Sequence, residues 1–315
     1  MEGPEKSKLI EVEKPVCGEN QVLVKLKYCG VCMSEHYAWS TAKEGQTFGH
    51  EPIGVVAEVG KSVKNLKVGD RVSGLFSGSA EYVLANEKDA FRLPDSITDE
   101  EAVLEPLACL ISAVSKVKIP IIGARVAVVG CGYMGCGAIS LLKMRGAYVV
   151  AVDIRRESLE NAKLYGADET YLPEELPEGY RTGRDITRGG FRLVMEWGET
   201  ADSLDLSINM TAMCGQLAVG AYHTGGKRLV DVQQLNVKAI DMLSTHPREM
   251  DLLHDCCDTA IKLLDSGNWS FAKVPTKVYP ISRFDEAHAE EPIKFGKWLK
   301  SLVDWSPEDF EPYII

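Results

Sequence analysis

The 315-residue chain has no run of 18 apolar residues and no block of basic residues. Its N-terminus, MEGPEKSKLIEVEKP, lacks the apolar core of a secretory signal. The first absence excludes a membrane-spanning helix. The second, with 35 Lys and Arg against 46 Asp and Glu for a net charge of −11, argues against a nucleic-acid or anionic-membrane partner. No internal repeat or low-complexity segment occurs. The nine cysteines are odd in number and scattered, in a chain too long to need staples, which points to reduced thiols in a cytoplasm rather than a disulfide framework. With 45% apolar and 26% charged residues, the composition is that of an ordinary globular protein of about two domains.

What is present changes character partway along. Residues 21–93 carry short β-branched runs punctuated by glycine, such as 22–26, 54–59 and 80–84, with turn signals such as Val68-Gly69-Asp70-Arg71 between them. This predicts a small closed or barrel-like β unit. Residues 99–115 read as a helix broken at Pro106. From Ala124 onward, strands at 126–129, 148–152, 193–195 and 217–219 alternate with helices, at 157–165 and 201–213 among others. That alternation predicts an open parallel sheet of α/β type. Residues 172–190 read as a surface connection, 250–265 as a helix, and 277–279 as a return to β structure.

Gly130-Cys131-Gly132-Tyr133-Met134-Gly135 is a G-x-G-x-x-G pattern. Alone it is weak evidence, but here an apolar strand precedes it, a helix follows, and the next strand ends in Asp153, 18 residues past Gly135. Each glycine has its own reason. Gly130 permits the tight turn, Gly132 lets backbone N–H groups approach a pyrophosphate, and Gly135 lets the helix pack close to the strand. The helix N-terminus, opening at Tyr133 and Met134, attracts the phosphates. Asp153 is expected to accept from the adenosine ribose hydroxyls and to repel the extra phosphate of NADP. Arg155 and Arg156 follow and are able to hold such a phosphate, so NAD is favoured over NADP without the alternative being closed.

A second set of residues suits a metal. Cys32, in GVCMSE, and His50, in GHE, are a thiolate and an imidazole on neighbouring loops, and tetrahedral Zn²⁺ takes S and N donors readily. A third ligand is needed. Glu105 and Cys109, in EPLAC, are both candidates.

GVCMSE, FGHEPIGVVAEVG, VGDRV, AEYV, EPLAC and VAVVGCGYMG, in this order, resemble the zinc-dependent medium-chain dehydrogenase/reductase superfamily, in particular its polyol (sorbitol-like) and threonine dehydrogenase branch. The resemblance runs over nearly the whole chain. It implies Cys32, His50 and Glu105 as ligands of a catalytic zinc, the last directly or through water. It also implies Ser34 as the hydroxyl passing a proton from the substrate alcohol, Glu51 as a carboxylate able to ligate transiently, and Glu35 as a supporting carboxylate. The implied architecture is a GroES-like catalytic domain over residues 1–110, a Rossmann dinucleotide-binding domain over 111–269, and a return to the catalytic domain over 270–315, with the active site in the cleft between them. The implied reaction moves a hydride between a secondary alcohol, a polyol or similar polar hydroxy compound, and NAD, with zinc as Lewis acid. A zinc-free quinone or enone reductase of the same fold and a non-catalytic nucleotide-binding protein are the alternatives.

Three departures from the family pattern carry expectations. The segment after VGDRV, residues 73–79, holds no cysteine, so one zinc per subunit is expected and no structural zinc. The histidine that ends the family's proton relay is replaced by Tyr37, with His36 before it. A β-strand that family members carry ahead of Glu2-Gly3-Pro4 is expected to be missing. Tyr37, Trp39, Phe76 and His246 are weaker candidates for a substrate pocket, packing being an equally good account of each. His223, His254 and His288 read as structural or surface residues. The tail from Trp305 is expected to dock on the body or on a partner subunit. Apolar strands near Leu217 and Ile240 suggest a homodimer or homotetramer.

Overall fold

The computed structural model describes residues 1–185, 189–294 and 296–315; three residues of the connection expected over 172–190 thus lie outside the described residues. The chain divides into two compact units, Met1–Ala108 with Asp251–Ile315, and Cys109–Met250.

The first unit begins with β1 (Gln21–Gly30), α1 (Met33–Ser40), β2 (Pro52–Val59), β3 (Arg71–Gly74), β4 (Tyr82–Asn86) and β5 (Ala90–Arg92). Strand β1 is its centre, antiparallel to β2 and to β4. Val22, Val24 and Leu26 on β1 pack with Val56, Val72 and Phe76 in one buried cluster, the apolar burial that holds a small β unit together. Helix α2 (Leu104–Ser115) follows. The sequence suggested a longer helix broken at Pro106, whereas the helix starts at Leu104 and runs through the proline. In the first turn the backbone N–H groups have no intrahelical partner, so a residue lacking one costs little there.

The second unit holds β6 (Arg125–Val129), α3 (Tyr133–Met144), β7 (Tyr148–Val152), α4 (Arg156–Leu164), β8 (Glu169–Tyr171), β9 (Phe191–Glu196), α5 (Ala201–Met210), β10 (Thr211–Val219), α6 (Val232–Lys238) and β11 (Asp241–Ser244). Its six strands lie in the order β11-β10-β9-β6-β7-β8, every pair parallel. The expected α/β parallel sheet is what forms. Val126, Ala127 and Val128 are fully buried, as a strand covered on both faces must be. Strand β10 is longer than residues 217–219 and α5 correspondingly shorter than 201–213. The register slips between Thr211 and Gln216 and Cys214 takes a positive φ of 55°, an irregularity that no alternation pattern announces.

The chain then forms α7 (Met250–Asp265), β12 (Thr276–Pro280), α8 (Phe284–Glu290), β13 (Lys300–Asp304) and β14 (Tyr313–Ile314). The expected division 111–269 puts α7 in the second unit; the structure counts it with the first. There His254 bonds Asp89 at 2.8 Å and Asp265 accepts from Ser96. Strand β13 pairs antiparallel with β1 and parallel with β12. The tail docks on the body, since β14 pairs with β12. Among the described residues, no helix is long and apolar enough to cross a membrane.

Candidate metal centre and dinucleotide turn

Strand β1 ends at Gly30, and Cys32 stands at the N-cap of α1 with an extended backbone and no side-chain cap bond. Its sulfur is thus left for other partners, and Ser34 Oγ lies 3.1 Å from Cys32 Sγ. Glu35, one turn into α1, is buried. Its Oε1 accepts from the Gly49 backbone N–H and meets His50 Nδ1, each at 2.8 Å. That bond places a proton on Nδ1, so Nε2 is the nitrogen a metal would take, the arrangement by which a carboxylate orients a metal-binding imidazole.

Cys32, His50 and Glu51 form a group whose ligand atoms all lie within 4.8 Å of one another. Glu51 sits where the chain enters β2, only 1% exposed, and ion-pairs through Oε2 with Lys300 Nζ at 2.5 Å. Lys300 opens β13 and also donates to the Val31 carbonyl at 3.0 Å. Gly30 is required beneath this pair, because a Cβ there would come within 1.9 Å of Glu51 Oε2. Oε1 of Glu51 is buried with no hydrogen-bond partner among the described residues, an expensive state for a carboxylate oxygen that a cation would relieve.

Charge in the cluster is strongly coupled. Burial alone would raise Glu35, but the nearby His288 ring, the hydrogen bond and charge of His50 and the Gly49 N–H hold it at about 2. Burial would lower His50, yet its bonds to Cys32 and Glu35 and the charges of Glu35 and Glu51 push it up to about 12. The Cys32 thiol is raised, mainly by burial and against the His50 hydrogen bond. Burial would lower Lys300, but the Glu51 charge raises it. A thiolate, an imidazole and a carboxylate are an ordinary zinc donor set, and a divalent cation taking them would displace the protons that His50 and Cys32 carry. The residues present fit a zinc ion.

The sequence-predicted residues are distributed as follows. Cys32 and His50 come together with Ser34 and Glu35 beside them. The carboxylate that joins the pair is Glu51, whereas Glu105 is not of the group. Glu105 stands half-buried in the first turn of α2, near Cys257 on α7, whose thiol is raised mainly by burial and further by the Glu105 charge. Cys109 falls in the second unit. Phe76 belongs to the core cluster, Trp39 is buried with its Nε1 donating to Asp285 at 2.8 Å, and Tyr37 is 48% exposed. His246, whose pKa burial lowers, lies in the second unit. Lys300 and His288 were not anticipated; nothing local in GKWLKS or DEAHAE marks either.

In the second unit the glycine turn joins β6 to α3. Gly130 has φ +90° and lies against the backbone of Trp197 and Gly198, and a Cβ on Gly135 would come within 1.9 Å of the Gly130 carbonyl oxygen. Gly132 is the N-cap of α3, without a side-chain cap, and the space around it is open. No side chain at Gly132 stands over the first turn of α3, the kind of helix N-terminus that attracts an anion. Tyr133 is buried and Met134 half-buried. Asp153, directly after β7 and 5% exposed, accepts from the Cys131 N–H at 2.8 Å. It also accepts from the Arg155 N–H and Nε, both at 2.9 Å, and from Arg155 Nη2 at 3.2 Å.

Comparison with known proteins agrees with this anatomy. Residues 18–95 match the alcohol dehydrogenase GroES-like domain, and residues 134–266 match the zinc-binding dehydrogenase domain. The chain is 26% identical to the D-arabitol-phosphate dehydrogenase of Enterococcus avium, over 98% of this chain and 96% of that protein. It is 27% identical to the sorbitol dehydrogenase of Mus musculus, again over 98% and 96%. In fold it is similar to the crystal structure of 2R,3R-butanediol dehydrogenase from Bacillus subtilis, with a TM-score of 0.79 at 24% identity over 96% of this chain and 98% of that one. The chain belongs to the zinc-dependent medium-chain dehydrogenase/reductase superfamily.

Proposed function

We propose that this protein transfers a hydride between a secondary alcohol, a polyol or similar polar hydroxy compound, and NAD, with one zinc ion per subunit. The observation that carries the reading is the convergence of Cys32, His50 and Glu51 within 4.8 Å. The zinc supplies Lewis acidity toward the substrate oxygen when bound, and the nicotinamide supplies the hydride acceptor. The chain's own residues do the rest. Cys32, His50 and Glu51 hold the metal, Glu35 fixes the His50 ring through Nδ1, and Lys300 holds Glu51. Ser34 Oγ, half-buried beside Cys32, accepts the hydroxyl proton and passes it outward. The relatives named for arabitol phosphate and sorbitol support the polyol class.

In the second unit, Gly130, Gly132, Tyr133, Met134 and Gly135 form the pyrophosphate seat and Asp153 takes the adenosine ribose. NAD is preferred to NADP because Asp153 engages Arg155 through three donors, so that guanidinium is not offered to a 2′-phosphate. Nine free cysteines suit a reducing cytoplasm. The exposed strand β11 at the sheet edge supports a homodimer or homotetramer joined across it.

The test is to follow the absorbance of reduced nicotinamide with NAD or NADP and a panel of polyols, before and after chelation. Polyol-dependent NAD reduction, lost on metal removal and restored by zinc, is the expected result, with NADP the poorer acceptor. Turnover of enones that survives chelation would make the protein a zinc-free reductase of the same fold. Silence across alcohols, polyols and hydroxy-amino acids would leave a nucleotide-binding protein.

A further inference from the structure

His288 lies on α8, far in sequence from the metal cluster, and only 2% of its side chain is exposed. Its ring is stacked near Phe284, with centroids 4.2 Å apart, and flanked by Trp39 at 5.8 Å. Nδ1 meets the Phe284 carbonyl oxygen at 3.1 Å. A carbonyl only accepts, so Nδ1 carries the proton. Nε2 is buried and has no hydrogen-bond partner among the described residues, and it faces Glu35 Oε2 at 3.8 Å. Two bonds lock this placement. Trp39 Nε1 donates to Asp285 at 2.8 Å, and His36 Nδ1 donates to the His288 carbonyl at 3.0 Å, so α8 is fastened to the helix that carries Glu35.

A gap of 3.8 Å is too long for a direct hydrogen bond, and a buried ring nitrogen without a partner is costly. Both difficulties have one solution. Glu35 and His288 line a cavity of about 10 Å³, together with Phe48, Gly49, Phe284 and Trp305, which is about the room one water molecule needs. A water lodged there, within reach of both Nε2 and Oε2, joins the two groups. With Oε2 so held, Oε1 stays on the Gly49 N–H and on His50 Nδ1.

We propose that His288 is a positioning residue for the metal site, acting through a bridging water and Glu35 on the orientation of His50. The inference rests on the reading of His50 as a zinc ligand. Its reach is metal affinity, where loss of such outer support costs roughly 10–100-fold.

The test uses the full chain loaded with Zn²⁺ or Co²⁺, with affinity measured by competition against a chelator and geometry by the visible ligand-field bands of Co²⁺. His288→Phe keeps the stacked ring and removes Nε2; it is expected to weaken metal binding by about 10–100-fold and to shift the Co²⁺ bands. His288→Gln, whose amide donates to Glu35, is expected to recover most of the affinity. Phe284→Leu loosens the same packing without touching the polar contact and is expected to lower Tm alone. Wild-type affinity and unshifted bands in His288→Phe would overturn the proposal, as would a loss in His288→Gln as large as that in His288→Phe. A wild-type chain that binds no Co²⁺ would instead overturn the metal reading itself, and this inference with it.

Discussion

In the second unit one continuous stretch, residues 126–135, makes the proposed dinucleotide turn almost entirely from backbone: a buried strand, glycines without side chains, and the N-terminus of α3 without a side-chain cap. In the first unit the proposed metal cluster is made from side chains on separate segments. Cys32, Ser34 and Glu35 come from the start of α1, His50 and Glu51 from the approach to β2, His288 from α8 and Lys300 from β13. The backbone site needs space. The side-chain site needs partners, and each partner depends on a tertiary contact. The two should therefore fail differently under mutation.

The largest effects are expected where a metal donor is lost. His50→Ala and Cys32→Ser should each abolish stoichiometric zinc in the purified protein, read by elemental analysis, and take the metal-dependent activity with it. The comparison is sharpened by the two glutamates. Glu51→Gln should weaken zinc binding by at least the roughly 10–100-fold seen for supporting residues, whereas Glu105→Gln should leave zinc affinity near wild type. The reverse order would show that Glu105, not Glu51, completes the donor set.

In the glycine turn the expected effect is smaller and divides by position. Gly135→Ala puts a Cβ within 1.9 Å of a backbone oxygen, and overpacking of that kind costs about 1–3 kcal/mol, visible as a lower Tm. Gly132 has φ −76° and open space around it, so Gly132→Ala should leave Tm almost unchanged while weakening NADH binding measured by fluorescence. Equal losses of Tm in the two variants would contradict the claim that one glycine serves packing and the other the ligand.

The same contrast decides what the sequence disclosed. The turn was legible because its requirements are local: an apolar strand, three glycines and a terminal Asp153 all lie within one βαβ stretch. Cys32 and His50 were legible as residue types suited to zinc. Glu105 and Glu51 were both in view, but choosing between them depends on which carboxylate the fold brings to Cys32 and His50, and it is Glu51, at the start of β2 beside β1, that lies within 4.8 Å of them. Lys300 reaches Glu51 only because β13 pairs with β1 across some 270 residues of chain, and no periodicity encodes such a pairing. The proline-containing first turn of α2 and the irregular start of β10 escaped for a different reason, since breaker residues and alternation patterns do not show which backbone groups need partners.

The smallest effect concerns a side-chain link of the first unit that lies away from the metal. Asp99 accepts from Lys27 Nζ at 2.6 Å and from Arg71 Nε at 3.0 Å, tying the segment before α2 to β1 and β3. Burial would raise its carboxyl, but the hydrogen bonds and charges of Lys27 and Arg71 outweigh it and hold the pKa below the usual value. A depressed folded-state pKa means that the unfolded chain binds the proton more readily. The stabilisation is therefore complete above the unfolded-state pKa of about 4 and disappears as pH falls through the lower, folded-state value. Asp99→Asn should cost about 1 kcal/mol near neutral pH, the upper end of what a solvent-screened ion pair contributes. The difference from wild type should shrink once the pH falls below that window. Lys27 is half exposed, so added salt should trim the difference as well. Urea denaturation of both proteins at neutral and acid pH, with and without salt, reads all three; a gap that stays constant with pH would assign the Asp99 contribution to neutral packing instead of to its charge.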